Sequence, residues 1–172
     1  MRIVFMGTPN AAVPTLKRIL DDGHEVIAVW TQPDKPAGRG NKLHAPPVKE
    51  FAVSEGLTVH QPAKIKTQET LDLLKSHEAE IAVVVAYGRI LPQTLLETPT
   101  KGCVNVHFSL LPKYRGAAPV NWAIVRGETE TGVTTMKMDI GLDTGDMLLQ
   151  RAADISPTET APELMEKLSH LG

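Results

Sequence analysis

Apolar runs separated by turn residues give this chain its outline. "RIVFMG" (2–7) is apolar at successive positions, as in a strand buried on both faces. Gly7 and Pro9 turn the chain, and Asn10 is placed to cap a helix running to about Asp22. "EVIAVWT" (25–31) reads as a second strand, and a Pro/Gly/Lys-rich connection occupies 33–47. A short helix over about Val48 to Glu55 closes at Gly56, and "LTVHQP" (57–62) is a third, short strand. Thr67 caps a helix to about His77. "AEIAVVVAYG" (79–88) is the most apolar strand, "GCVNVHF" (102–108) the next, and a helix follows "RGAAP". "GVTTMKM" (132–138) alternates as a half-buried strand does, and "DMLLQRAADI" (146–155) is its expected partner. Thr160 and Glu163 have capping-box spacing and open a last helix ending at Gly172.

Strands alternate with helices as far as about residue 126. The expected fold is therefore α/β: a Rossmann-like, mostly parallel sheet with helices on both faces and an added C-terminal strand pair. At 172 residues the chain suits one domain. A net charge of −2 offers no bulk grip on nucleic acid, and DNA is not an expected partner. The single cysteine, Cys103, cannot close an intramolecular disulfide and reads as a small core residue. No apolar run is long enough to span a membrane, and the N-terminal run is too brief for a signal segment. The expected compartment is the cytoplasm.

Several residues could carry chemistry. Asn105 and His107 lie two apart on one strand, so they share a face, and they fall near its carboxyl end. Asparagine can donate to a developing oxyanion, and histidine moves protons near neutrality. Taken alone, the pair reads first as a hydrogen-bonded core histidine with its amide. "MDIGLDTGDML" (138–148) sets Asp139, Asp143 and Asp146 among glycines; a solvated acidic turn is the plain reading, orientation of a histidine the functional one. The 33–47 connection carries Lys35, Arg39, Lys42 and His44, a small basic patch suited to phosphates. No phosphate-binding glycine motif follows the first strand, and no set of residues has zinc or calcium spacing.

Together, "NVHFSLLPKYRGAAP" and the later "GETETGVTTMKMDIGLDTGDML" resemble the 10-formyltetrahydrofolate-dependent formyltransferases over essentially the whole chain. "FMGTP", "TQPDKPAGRG", "PPVK" and "VVVAYGRILP" sharpen the likeness toward the members that formylate methionyl-initiator tRNA. The resemblance implies catalytic roles for Asn105, His107 and Asp143, with Asp143 orienting His107. It implies a folate pocket walled by Ser109, Leu110, Leu111 and Pro112, roofed by the 139–145 loop, with 87–92 nearby. Arg39 and Lys42 would contact initiator methionyl-tRNA, the 33–47 loop ordering as it binds. 10-Formyltetrahydrofolate would be the formyl donor, with no metal. Residues 1–172 would be the catalytic domain, to which family members append a smaller C-terminal β-domain. Phe108 departs from the pattern, since a small residue usually follows the histidine. Three other readings remain: a formyltransferase for a sugar-nucleotide amine or glycinamide ribonucleotide, a hydrolase of the formyl donor, and a non-catalytic folate- or RNA-binding module.

Overall fold

The computed structural model describes residues 1–37 and 42–172. Nine strands and six α-helices follow the chain among these residues. They are β1 (Arg2–Gly7), α1 (Val13–Asp21), β2 (Glu25–Trp30), β3 (Lys35–Ala37), β4 (Lys42–His44) and α2 (Pro47–Ser54). Then come β5 (Val59–His60), α3 (Gln68–Ser76), β6 (Ile81–Val85), α4 (Gln93–Leu96) and β7 (Cys103–His107). α5 (Pro119–Val125), β8 (Glu130–Lys137), β9 (Met147–Asp154) and α6 (Ala161–Leu171) complete the set.

The main sheet has the order β5-β2-β1-β6-β7-β8-β9. From β5 to β7 the strands run parallel, whereas β8 and β9 are antiparallel to their neighbours. Counted along the chain, the parallel strands lie third, second, first, fourth, fifth. The order therefore reverses between β1 and β6, and open α/β sheets place their ligand crevice beyond the carboxyl ends of the strands at such a reversal. The C-terminal strand pair is present as expected.

Side chains alternate across the sheet. Val4 and Met6 pack with Ala82, Val84, Leu74 and Leu95 under α3 and α4. Phe5, Val106, Val120, Leu164 and Leu168 pack on the other face under α1, α5 and α6. Phe108 belongs to this second core and is only 5% exposed. Its ring follows the parity of Val106, away from His107, so the sheet accommodates it without intruding on the histidine's face.

Three local expectations change. Asn10 does not cap the first helix: residues 10–12 form a 3₁₀ turn, α1 starts at Val13, and neither start has a side-chain cap. Pro14 in the first turn of α1 costs no hydrogen bond there, because that N–H has no intrahelical partner. The 33–47 connection is not a plain loop, since β3 and β4 pair antiparallel, Lys35 with His44 and Ala37 with Lys42. α4 was not foreseen; at four residues it is too short to show a period. The caps at Thr67 and Thr160 are as expected. Thr67 accepts from the Thr70 N–H at 3.3 Å, and the Thr160 N–H donates to the Glu163 carboxylate at 2.8 Å.

Candidate active site

β7 delivers Asn105 and His107 to the face shared with Cys103, opposite Val106 and Phe108. Cys103 is a core residue, as expected. Burial pushes its thiol up to about 12, and its S–H points at the Leu96 carbonyl, 3.6 Å away. Asn105, paired to Val84 and Met136 on the flanking strands, is half-buried. His107 is nearly closed off, at 6% exposure.

The loop after β8 folds back over this face. It leaves and returns at one point, where the Lys137 N–H donates to the Asp146 carbonyl at 2.8 Å. Between them Asp143, in a left-handed conformation (φ 52°), brings Oδ2 to 3.6 Å from His107 Nδ1. That is ion-pair distance, longer than a hydrogen bond. The same oxygen accepts from the Gly116 N–H at 2.8 Å. The other two acids do not reach the histidine. Asp139 accepts from the Gly141 N–H and the Thr144 hydroxyl within its own loop, and Asp146 is exposed.

The second ring nitrogen is also engaged: Nε2 lies 2.9 Å from the Tyr114 carbonyl. A carbonyl only accepts, so Nε2 carries the proton in this contact. Both nitrogens thus face oxygen, one a carbonyl and one a carboxylate. Asn105, on the same face of β7, offers its side-chain amide. An amide donor and a buried imidazole with a carboxylate behind it suit acyl transfer, in which a carbonyl oxygen gains negative charge and a proton moves. Among the described residues, no group of three or more His, Cys, Asp or Glu side chains is placed to hold a metal ion.

Two cavities of about 420 and 570 Å³ open on the α3–α4 side of the sheet, and Asn105, His107 and Asp143 line neither. Gln93 and Ile140 line both, so they meet where α4 approaches the 138–146 loop. Ile65, Leu71 and Leu91 add apolar wall to the first, and Lys101, Lys137 and Asp139 add charge to the second. Residues 109–112 line neither. The Ser109 side chain is fully buried and donates to the Lys113 carbonyl at 2.6 Å, and Leu111 is 4% exposed. Leu110 is half-buried and Pro112 exposed.

Comparison with known proteins places the chain. The family described as "Formyl transferase" matches residues 1–172. The chain belongs to the formyl transferase family. It is 57% identical over 171 residues to the methionyl-tRNA formyltransferase of Trichlorobacter lovleyi, a match covering 99% of this chain and 54% of that protein. It is 58% identical over 173 residues to that of Caldanaerobacter subterraneus subsp. tengcongensis, covering 100% and 56%. The chain spans about half the length of the curated relatives it matches. The phosphoribosylglycinamide formyltransferase of Bacillus halodurans superposes with a TM-score of 0.80 at 24% identity, covering 99% of this chain and 90% of that one, which shows a shared fold.

Several residues that organise this candidate site escaped sequence reasoning. Gln32, 8% exposed, donates to the carbonyls of Tyr87 and Gly88 and accepts from Arg89, tying the turn after β6 to β2. Thr134 and Gln150, on β8 and β9, hold the Ser109–Leu111 turn by its backbone. Tyr114 and Gly116 grip His107 and Asp143 through main-chain atoms, which side-chain chemistry cannot advertise. Lys42 is exposed on β4. Arg39 lies outside the described residues.

Proposed function

We propose that this chain is the catalytic domain of an enzyme that moves the formyl group of 10-formyltetrahydrofolate to the amino group of methionyl-initiator tRNA. The observation that carries the reading is the approach of Asp143 to His107 beside Asn105, at the carboxyl end of β7. The identity to proteins named methionyl-tRNA formyltransferases supports the choice of acceptor.

In this reading the neutral amine attacks the formyl carbon, a C–N bond forms, and the carbonyl oxygen becomes an oxyanion. The Asn105 amide donates to that charge, while His107 Nδ1, facing Asp143, takes up the amine proton and the resulting imidazolium stabilises the oxyanion through space. Collapse breaks the bond to the folate nitrogen, which takes up the proton the amine has lost, relayed by the His107–Asp143 pair. The flat ring system of the folate occupies the space between α4 and the 138–146 loop, whose cavities have the volume of small-molecule sites. Ser109 and Leu111, with buried side chains, serve this site through their backbone, whereas Leu110 and Pro112 have side-chain surface to give. Lys42 and Arg39, on the β3–β4 ribbon and its connection, take phosphates of the tRNA end. The cytoplasm is the compartment in which these substrates meet. No helix of the described residues is long and apolar enough to cross a membrane.

The test is turnover with 10-formyltetrahydrofolate and each of four acceptors: methionyl-tRNA, a sugar-nucleotide amine, glycinamide ribonucleotide and water. It is run with this chain alone and with a chain of the relatives' full length. Methionyl-tRNA should be preferred, and Asn105→Ala or His107→Ala should each lower kcat about a hundredfold or more. Equal turnover of another acceptor, or indifference to both substitutions, would refute the reading.

A further inference from the structure

The left-handed backbone of Tyr114 needs a cause. Its φ is 56°, a conformation that crowds the β-carbon of any residue but glycine. That conformation turns the Tyr114 carbonyl onto His107 Nε2, 2.9 Å away. The main-chain contact with His107 offsets part of the cost of that crowding. The side chain adds to it: the phenol donates to Glu128 Oε1 at 2.6 Å, a short bond to an ionised acceptor.

Glu128 is itself fixed. It lies just beyond α5, where its N–H donates to the Ala123 carbonyl at 3.0 Å. The Lys113 ammonium approaches its carboxylate at 3.2 Å. The phenol's bond and then the ammonium hold the Glu128 carboxyl below its ordinary value, while Glu128 in turn raises the Tyr114 phenol. Both shifts belong to one stable phenol–carboxylate bond. On the other side of Tyr114, the Lys113 carbonyl accepts from the buried Ser109 hydroxyl at 2.6 Å. The strained residue is therefore held at its side chain and just before its main chain.

We infer that Tyr114 and Glu128 are positioning residues that set the protonation pattern of His107: the phenol–carboxylate bond keeps the Tyr114 carbonyl on Nε2, so Nε2 always carries hydrogen and Nδ1 is the nitrogen that works with Asp143. This rests on His107 being the catalytic imidazole, and it adds which of its nitrogens is the working one and what enforces that. Without the bond, relaxation of Tyr114 toward right-handed backbone withdraws the carbonyl, and the ring is free to place its proton on either nitrogen or to rotate. Asn105 and Asp143 remain in place, yet the aligned ring is present only part of the time.

The experiment combines ¹⁵N spectroscopy of the histidine rings with turnover, on the wild type, Tyr114→Phe, Glu128→Gln and Lys113→Met. In the wild type, His107 Nε2 should resonate as a protonated nitrogen across the neutral range. In Tyr114→Phe it should move toward the value of an exchanging tautomer mixture, and kcat should fall on the order of tenfold to a hundredfold with KM for both substrates unchanged. Glu128→Gln keeps the shape and an accepting oxygen, so its shift should be in the same direction and smaller. It also keeps the question answerable if Tyr114→Phe fails to fold. The double variant should be no worse than Tyr114→Phe, because both substitutions remove one bond. Lys113→Met should leave the Nε2 signal in place. An unchanged Nε2 signal in both Tyr114→Phe and Glu128→Gln, or a shift in Lys113→Met as large as in Tyr114→Phe, would overturn the inference. A ring that responds as described in a protein that formylates none of the acceptors would leave the positioning role standing and refute the functional reading instead.

Discussion

Replacing Thr134 by valine removes one hydroxyl from the middle of β8 and should loosen the turn that follows His107. Thr134 is fully buried. Its hydroxyl donates to the Ser109 carbonyl at 2.7 Å, and accepts from the Leu111 N–H at 3.1 Å and from the Gln150 amide at 3.0 Å. Valine has nearly the same shape, so no cavity opens and the effect isolates the polar contacts. Two buried backbone groups, the Ser109 carbonyl and the Leu111 N–H, lose their partner. Each orphaned group costs about 1–3 kcal/mol. The Gln150 amide keeps its bond to the Leu111 carbonyl at 2.8 Å, which limits the damage. The expected loss is about 3 kcal/mol, a large share of the roughly 5–15 kcal/mol that separates folded from unfolded domains. For a chain of this size it corresponds to a fall in Tm of about 6–12 °C. Urea unfolding followed by circular dichroism measures it as a lower midpoint at unchanged slope. Thr134→Ser, which restores the hydroxyl, should recover most of the difference. A Thr134→Val midpoint within about 0.5 kcal/mol of wild type would mean that the turn does not depend on these bonds.

Three further outcomes follow from the same structure. Burial holds the His60 and His77 imidazoles below the ordinary value of 6.5, with the charge of His60 adding to the effect at His77. Because the unfolded chain then binds protons the folded one resists, stability is full above about 6.5 and falls as pH drops toward the lower folded values. His77 Nε2 accepts from the Trp30 indole at 3.3 Å, so Trp30 fluorescence in a Trp122→Phe background should follow this fall, and His60→Gln should flatten it. A β-carbon at Gly145 would collide with the Lys137 carbonyl where the 138–146 loop closes. Gly145→Ala should therefore displace Asp143 and cost formyl transfer on the order of a hundredfold, while stability falls by only about 1–3 kcal/mol; equal wild-type rates would refute this. Cys103, buried with its thiol pushed up to about 12, should react with a disulfide reagent at pH 8 only after denaturation, and prompt reaction of the native protein would contradict its placement.

Much of this protein was legible in its sequence because the deciding forces are local. The apolar runs at 2–7 and 79–88 and the alternation at 132–138 set strands by side-chain parity, and the caps at Thr67 and Thr160 act within one turn. Parity also placed Asn105 and His107 on one face before any strand was paired. Local chemistry misleads where a neighbour in space decides. Asn10 has the residue type of a cap, yet residues 10–12 form a 3₁₀ turn instead. The 33–47 segment is rich in turn formers, yet two short stretches within it, without the alternating apolar pattern of a strand, pair with each other, Lys35 with His44 and Ala37 with Lys42. Phe108 posed a question of space that only the second core could answer, since whether a ring fits depends on how the cluster it shares with Val106, Val120 and Leu168 packs. Only the tertiary structure ordered the strands, brought Asp143 and not Asp139 or Asp146 to His107, and turned the Tyr114 carbonyl onto Nε2. These are contacts between segments far apart in the chain, several of them made by backbone atoms that every residue carries. Their energy resides in the pairing, and no single stretch of sequence encodes it.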